Sequence, residues 1–307
     1  MGDLLKGRVA LVTGAGRGIG RAHAHALAAE GARIVVNDPG VEADGSGSAR
    51  APADDVVAEI AAQSGEAVAN YESVADFEGA RRMVQMAVDN FGRLDILVNN
   101  AGIFQYHLIH ETPKESWDMM MGVHLDGMFN TCRHAAPIMM GQGHGRIINT
   151  TSSQWRNPEA RAAYGAAKGG VVSLTWNLAF ELRNHGITAN AIAPMASTRT
   201  AGDTTYRSYL ERAELTRKKP PDEQVEGRAA PEYASPLVVY LASDEASHVN
   251  GLVFRAGSGK IGLYSHPVVV SSIHRDWRKD GPWTVDELRD ILPGTLLAGE
   301  TKAPFIP

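Results

Sequence analysis

One cysteine, Cys132, stands in a chain of 307 residues. No disulfide can form within the chain, no cysteine cluster can hold zinc or iron, and a single thiol suits a reducing compartment. Basic residues are not in excess either. Thirty Lys and Arg against 35 Asp and Glu leave a formal net charge of -5, which gives nucleic-acid phosphates little to gather around. No apolar run reaches the roughly 18 residues that crossing a bilayer needs. The start Met1-Gly2-Asp3-Leu4-Leu5-Lys6 lacks the apolar centre of a secretory signal, and Pro304-Phe305-Ile306-Pro307 is no targeting tripeptide. Internal repeats and low-complexity tracts are absent. The 11 histidines fall at no ligand spacing: His23 and His25, two apart on a helix, point to different sides. The expectation is a cytoplasmic protein with no metal, nucleic acid or membrane among its partners.

What remains is ordinary globular material, 44% hydrophobic and 21% charged, arranged in a rhythm. Short apolar runs rich in β-branched residues occur at Arg8 to Val12, Ala32 to Val36, Glu66 to Asn70, Leu94 to Val98, Arg146 to Thr150, Ile187 to Ile192 and Gly251 to Phe254. Between them lie helical patterns, among them Arg21 to Glu30, Phe77 to Phe91, Trp117 to Met140 and Tyr164 to Arg183. Strand and helix in alternation predict an α/β fold: a single doubly wound domain, with a seven-stranded parallel sheet covered by helices on both faces. Ligands of such sheets bind beyond the carboxyl ends of the strands. Two stretches interrupt the rhythm, Pro39 to Pro52 and Met195 to Pro231, each long enough to be a functional loop. After Gly262 the alternation stops. Residues 1–262 are read as the domain, and 263–307 as an extension packed on the core or on a neighbouring subunit.

Thr13-Gly14-Ala15-Gly16-Arg17-Gly18-Ile19-Gly20 lies between the first strand and the first helix. Glycines there permit a tight turn and close approach of backbone N–H groups to a pyrophosphate at the helix N-terminus. Asp38, at the end of the second strand, would bind ribose hydroxyls and repel a 2′-phosphate. Arg17 pulls the other way, but Asp38 occupies the place of the phosphate, so NAD is favoured over NADP. In Tyr164-Gly165-Ala166-Ala167-Lys168 the i, i+4 spacing puts phenol and ammonium on one helix face. A cation that close stabilises a phenolate able to take a hydroxyl proton. Ser152-Ser153, at the end of the fifth strand, can return to the same crevice.

Together these residues resemble the short-chain dehydrogenase/reductase family. Thr13, Gly14, Gly18 and Gly20 meet its glycine motif, Asn99-Asn100-Ala101-Gly102 its Asn-Asn-Ala-Gly, and Tyr164 and Lys168 its Tyr-x-x-x-Lys, in order over roughly Leu4 to Gly262. The resemblance implies that Tyr164 is the acid/base, that Lys168 holds the nicotinamide ribose and lowers the tyrosine pKa, and that a serine hydrogen-bonds the reacting oxygen. It also implies cofactor contacts from Gly14, Arg17, Gly18, Ile19, Gly20, Asp38, Asn100, Ala101, Gly102 and Pro194, and a homo-oligomer, dimer or tetramer. The family's usual serine spacing, counted back from Tyr164, selects Thr151. Counting from the strand selects Ser152, which is preferred, with Thr151 and Ser153 as alternatives. Where the family often has an asparagine this chain has His124, either lining a proton-relay water or packing in the core.

Val35-Val36-Asn37-Asp38, Val123-His124-Leu125, Ala193-Pro194, Pro231-Glu232-Tyr233 and Asn250-Gly251 look more closely like the (3R)-hydroxyacyl-CoA dehydrogenase unit of peroxisomal multifunctional enzymes and bacterial steroid-degrading relatives. The implied reaction interconverts a secondary alcohol and a ketone of a small-molecule substrate, a 3-hydroxyacyl-CoA or a steroid. Alternatives are an NADPH-dependent 3-oxoacyl thioester reductase and a catalytically silent NAD-binding regulator. Met119 to Met121 and Met139-Met140 are read as core filling before acyl pocket, His107 and His110 as a solvated loop. Arg207, Arg212, Arg217, Lys218 and Lys219 are read as a solvated helix face before a CoA-phosphate contact.

Overall fold

Alternation along each strand divides the apolar side chains between two cores. In β1 (Val9–Thr13), Ala10 and Val12 join one cluster while Val9 and Leu11 join the other. The same split runs through β2 (Arg33–Asn37), β4 (Ile96–Asn99) and β5 (Gly145–Thr150). These strands are buried almost throughout, as a sheet covered on both faces requires. Helices α1 (Gly18–Ala29) and α2 (Ala51–Ala62) cover the first face through Leu27, Val56 and Ile60. On the second face α3 (Phe77–Phe91) packs through Met83 and Val84. The structure, a computed structural model, describes residues 2–105, 107–156, 161–196 and 229–298. Most of the stretch Met195 to Pro231, with Arg207, Arg212, Arg217, Lys218 and Lys219, lies outside them. Two compact units result, Met1–Tyr264 and Ser265–Pro307.

With β3 (Ala67–Asn70), β6 (Ile187–Pro194), β7 (Val253–Gly257) and β8 (Lys260–Leu263), the strand order is β3-β2-β1-β4-β5-β6-β7-β8. Eight strands form the sheet, not seven, and the last pairs antiparallel with β7. Ser258 (φ 49) and Gly259 (φ 73) make the two-residue turn that reverses the chain. β8 is short and exposed at every residue, so it gives no apolar-run signal. The order reverses around β1 and β4, which opens a crevice at their carboxyl ends.

A second departure lies in Trp117 to Met140, which is not one helix. Helix α4 (Lys114–Met121) passes through a π-helical turn, Gly122–Asp126, into α5 (Gly127–Gln142). Gly127, just after it, packs against Val74: a Cβ there would lie 2.7 Å from Val74 Cγ2. Such wide turns often mark functional positions, and this one carries His124 inward to 2% exposure. Helix α6 (Ala162–Leu182) follows β5, and α7 (Ser235–Ala242) precedes β7. No helix among the described residues is long and apolar enough to cross a membrane. In the second unit, helix Val285–Ile291 is held by a capping box of Thr284 and Glu287.

Candidate active site

The loops after β1 and β4 meet at the crevice. A Cβ at Gly14 (φ 61) would lie 2.8 Å from Ala101 Cα, so only glycine allows the approach. Thr13 Oγ1 accepts from the backbone N–H groups of Asn100 (3.0 Å) and Ala101 (3.1 Å). The Asn100 side chain donates to the carbonyls of Thr13 (3.0 Å) and Gly14 (3.1 Å). α1 then starts at Gly18 with no side-chain cap and no acidic residue in its first turn. Its N–H groups are left for an anion. Gly20 has no room for a side chain, since a Cβ would sit 2.1 Å from Gly14 O. Ile19 lies half-buried in the same turn. This bare, N–H-lined cradle fits a dinucleotide pyrophosphate.

Asp38 follows β2 and is 7% exposed. Its Oδ2 accepts from Gly16 N (2.8 Å) and its Oδ1 from Gly40 N (2.7 Å), fixing the carboxylate beside the cradle. Arg17 turns toward the long loop, its Nη1 donating to Val41 O (3.1 Å). That loop reaches across to the segment after β4, where Phe104 N donates to Ala43 O (2.8 Å) and Gln105 Nε2 to Asp44 O (3.2 Å).

β5 ends at Thr150, and Lys168 Nζ donates to its carbonyl (2.7 Å). Lys168 is 2% exposed, and burial lowers its pKa from 10.5 to about 7. The ammonium lies 5.7 Å from the centroid of the Tyr164 ring, so the two share a helix face as their spacing required. Thr151 is committed to the scaffold: its N–H donates to Ile192 O (2.7 Å) and its Oγ1 to Lys168 O (2.8 Å). Ser152 is extended (φ -152, ψ 152) and half-buried, and its Oγ accepts from Gln154 N (3.3 Å). Accepting there leaves the hydroxyl proton to be donated elsewhere. Ser153 opens a 3-10 turn, Ser153–Trp155, instead of continuing the strand. Pro194 ends β6 two residues beyond Ile192.

His124 meets Tyr164 edge-on, with ring centroids 5.1 Å apart. Its Nε2 lies 2.8 Å from Ile103 O, and its buried Nδ1 has no hydrogen-bond partner among the described residues. Burial first, and the Lys168 charge second, hold its pKa well below 6.5. Nε2 also lies 3.3 Å from Ile103 N, and in the tautomer that donates from Nε2 to Ile103 O the lone pair on Nδ1 is left bare. The ring also abuts Gly102, where a Cβ would lie 2.7 Å from His124 Cε1.

Beside Tyr164 lies a hollow about the size of a water molecule, lined by Gln105, His107, Thr112, Ser116, Met120, Arg161 and Ala163. His107, read as solvated, is instead half-buried there, 3.4 Å from Ser116 Oγ, whereas His110 is exposed. The Arg161 guanidinium lies 4.9 Å from the centroid of the Phe104 ring. Met139 fills the core. His23 and His25 do point apart, to Ser235 Oγ (2.9 Å) and Glu59 (2.8 Å). Sequence reasoning missed the lining of this hollow because its members come from separated segments. It also passed over a buried polar chain under the crevice. Asn99 Nδ2 donates to Asn149 Oδ1 (2.9 Å), Asn149 Nδ2 to Thr175 Oγ1 (3.0 Å), and Thr131 Oγ1 to Asn99 Oδ1 (2.7 Å). Asn99 in the Asn-Asn-Ala-Gly motif was the signal available for it.

Comparison with known proteins adds four findings. Residues 8–209 match the family described as short chain dehydrogenase. The chain is 40% identical over 285 residues to the peroxisomal multifunctional enzyme type 2 of Mus musculus, a match that takes in 92% of this chain but 36% of that one. It is 36% identical over 261 residues to a 3-oxoacyl-[acyl-carrier-protein] reductase of Synechocystis, covering 84% of this chain and 98% of that one. A crystal structure of a short chain dehydrogenase from Mycobacterium avium superposes with a TM-score of 0.80 at 41% identity, covering 99% of this chain and 98% of that one.

Proposed function

The chain belongs to the short chain dehydrogenase family, an oxidoreductase acting on CH–OH groups with a nicotinamide cofactor, and from that premise we propose that it oxidises 3-hydroxyacyl thioesters with NAD. The observation that carries the reading is the Tyr164–Lys168 pair, set against Thr150 O at the strand end, beside a glycine cradle flanked by the Asp38 carboxylate. The bound dinucleotide supplies the hydride acceptor. Gly14, Gly16, Gly18, Ile19 and Gly20 hold its pyrophosphate end, Asp38 its adenosine ribose, and Asn100, Ala101, Gly102 and Pro194 the side nearer the chemistry. Tyr164 Oη takes the proton of the reacting hydroxyl while Ser152 Oγ donates to the same oxygen, so developing charge meets a fixed donor. Lys168, in its charged form, favours ionisation of the phenol on the same helix face.

The thioester is preferred to a steroid because polar side chains, Gln105, His107, Thr112, Ser116 and Arg161, gather beside Tyr164. Amides and a thioester carbonyl match such groups, whereas a rigid hydrocarbon body would strip them of hydrogen bonds. The resemblance to the hydroxyacyl-CoA dehydrogenase unit supports the same choice. The Synechocystis relative favours a second reading, reduction of a 3-oxoacyl thioester with NADPH; Asp38 speaks against the cofactor it requires. A silent regulator has no support from a crevice that keeps both Tyr164 and Lys168. Phe129 and Phe180, 49% and 67% exposed on α5 and α6, support a homo-oligomer, and the single thiol supports a cytoplasmic home. Turnover of 3-hydroxybutyryl-CoA against a panel of steroid alcohols, read as reduced nicotinamide, tests the proposal. Tyr164→Phe should keep NAD affinity and lose all but a few per cent of the rate; a variant that stays active, or a wild type that prefers the steroids, refutes it.

A further inference from the structure

Ser152 stands at the point where extended backbone gives way to the turn Ser153–Trp155. Upstream it is firmly tied: Thr150 O accepts from Lys168, and Thr151 bonds to both Ile192 O and Lys168 O. Downstream, among the described residues, the backbone bonds are local, from Trp155 N to Ser152 O (3.2 Å) and from Arg156 N to Ser153 O (3.2 Å), and they shape the turn. A side chain also moors it. Trp155 packs into a small cluster of Val172 from α6, Ala191 from β6 and Val253 from β7. Its outer edge meets the ring of Tyr264, with centroids 5.8 Å apart at 70°. Arg156 lies over the same ring at 5.9 Å.

Tyr264 is where it is because of β8. The antiparallel strand brings the chain back along β7 from Lys260 to Leu263, and Tyr264 N then donates to Val253 O (2.9 Å). β8 itself is exposed at each of its residues and contributes nothing to the two main cores. Its one evident product is a half-buried aromatic ring delivered beside the turn that follows Ser152.

We propose that Tyr264 is a positioning residue for the reaction: through Trp155 it clamps the turn after β5 and so fixes the direction of the Ser152 hydroxyl. The inference rests on the role given to Ser152 above. A donor that swings by about 1 Å loses up to roughly 10²-fold in rate. Removing the ring should therefore lower kcat rather than weaken cofactor binding.

The test uses the full chain with NAD and 3-hydroxybutyryl-CoA. Tyr264→Ala should lower kcat about tenfold, with NAD affinity and the pH dependence of kcat unchanged, because Tyr164 and Lys168 are untouched. Tyr264→Phe should restore the rate, since the contact is made by ring edges and needs no hydroxyl. The deciding measurement is a double-mutant cycle. If Tyr264 acts through Ser152, adding Tyr264→Ala to Ser152→Ala should cost nothing further. Effects that multiply, or a Tyr264→Ala enzyme as fast as wild type beside a slow Ser152→Ala, overturn the clamp and leave the role of Ser152 intact. A wild-type rate for Ser152→Ala overturns that role, and the inference with it. Should Tyr264→Ala fail to fold, Tyr264→Leu keeps part of the apolar bulk without the ring and carries the same cycle.

Discussion

Asp38 offers the sharpest test of cofactor choice, because its surroundings let the effect be sized. The carboxylate is 7% exposed and held at both oxygens by Gly16 N and Gly40 N. It can neither swing aside nor draw on bulk water when a second anion arrives. Two unit charges about 4 Å apart, at an effective dielectric constant of about 20, repel by about 4 kcal/mol, roughly 10³ in affinity. Arg17, the nearby cation, is turned to Val41 O and would have to leave that bond to compensate. Wild type should thus bind NAD at least ~10²-fold more tightly than NADP, allowing for relaxation. Asp38→Asn keeps the size, removes the charge and sets an amide N–H against one backbone N–H, which costs about 1–3 kcal/mol of stability. The ratio of affinities should fall at least tenfold. Isothermal titration of the protein with each nucleotide, below the lowered Tm, reads this without any substrate. Equal wild-type affinities, or a ratio unmoved in Asp38→Asn, would show that the carboxylate does not set the choice.

Among Thr151→Ala, Ser152→Ala and Ser153→Ala, the middle change should lower kcat by about 10²-fold or more. Thr151→Ala should chiefly lower Tm, because its hydroxyl is spent on Lys168 O; an inactive threonine variant beside an active Ser152→Ala would reverse the assignment. Stability should also fall in mild acid. Burial first, then the Arg146 and Arg8 charges, push the His144 pKa down from 6.5 to about 4, so between those values the unfolded chain binds a proton that the folded one refuses. The contribution is complete above pH 6.5 and lost as pH falls toward 4, about 2–3 kcal/mol for His144. Urea denaturation at several pH values should show a shallower slope in His144→Gln; an unchanged slope would assign the acid sensitivity to His23, which burial pushes to about 3, and to other groups.

What could be read from sequence was local. Gly14 to Gly20 and Tyr164 with Lys168 are short spacings whose geometry is dictated by a turn or a helix, and each stands where its spacing put it. Phe77–Phe91 was legible to the residue, because Asp76 caps its start and Gly92 (φ 79) ends it. Features made by distant segments were not legible. β8 alternates Ile261 and Leu263 with Lys260 and Gly262 but over four residues only, too short a run to stand out, although Gly257-Ser258-Gly259 carried the turn signal. The packing of Val74 at Gly127 and the gathering of Gln105, Ser116 and Arg161 beside Tyr164 join residues far apart in the sequence. The course of the chain after Ser152 was not legible either, because Ser153 opens a turn.

The chain of amides and hydroxyls beneath the crevice has a mechanical consequence. Asn99 and Asn149 lace β4 to β5, and Thr175 fastens that lace to α6. Parting the two strands would strand a buried N–H and a buried carbonyl, at about 1–3 kcal/mol each, on top of the broken ladder. The sheet therefore cannot breathe as two leaves about its own midline. Whatever gap a bulky molecule needs must come from segments beyond the strand ends, and the slowest amide exchange in the molecule should gather at this seam, next to the chemistry rather than far from it.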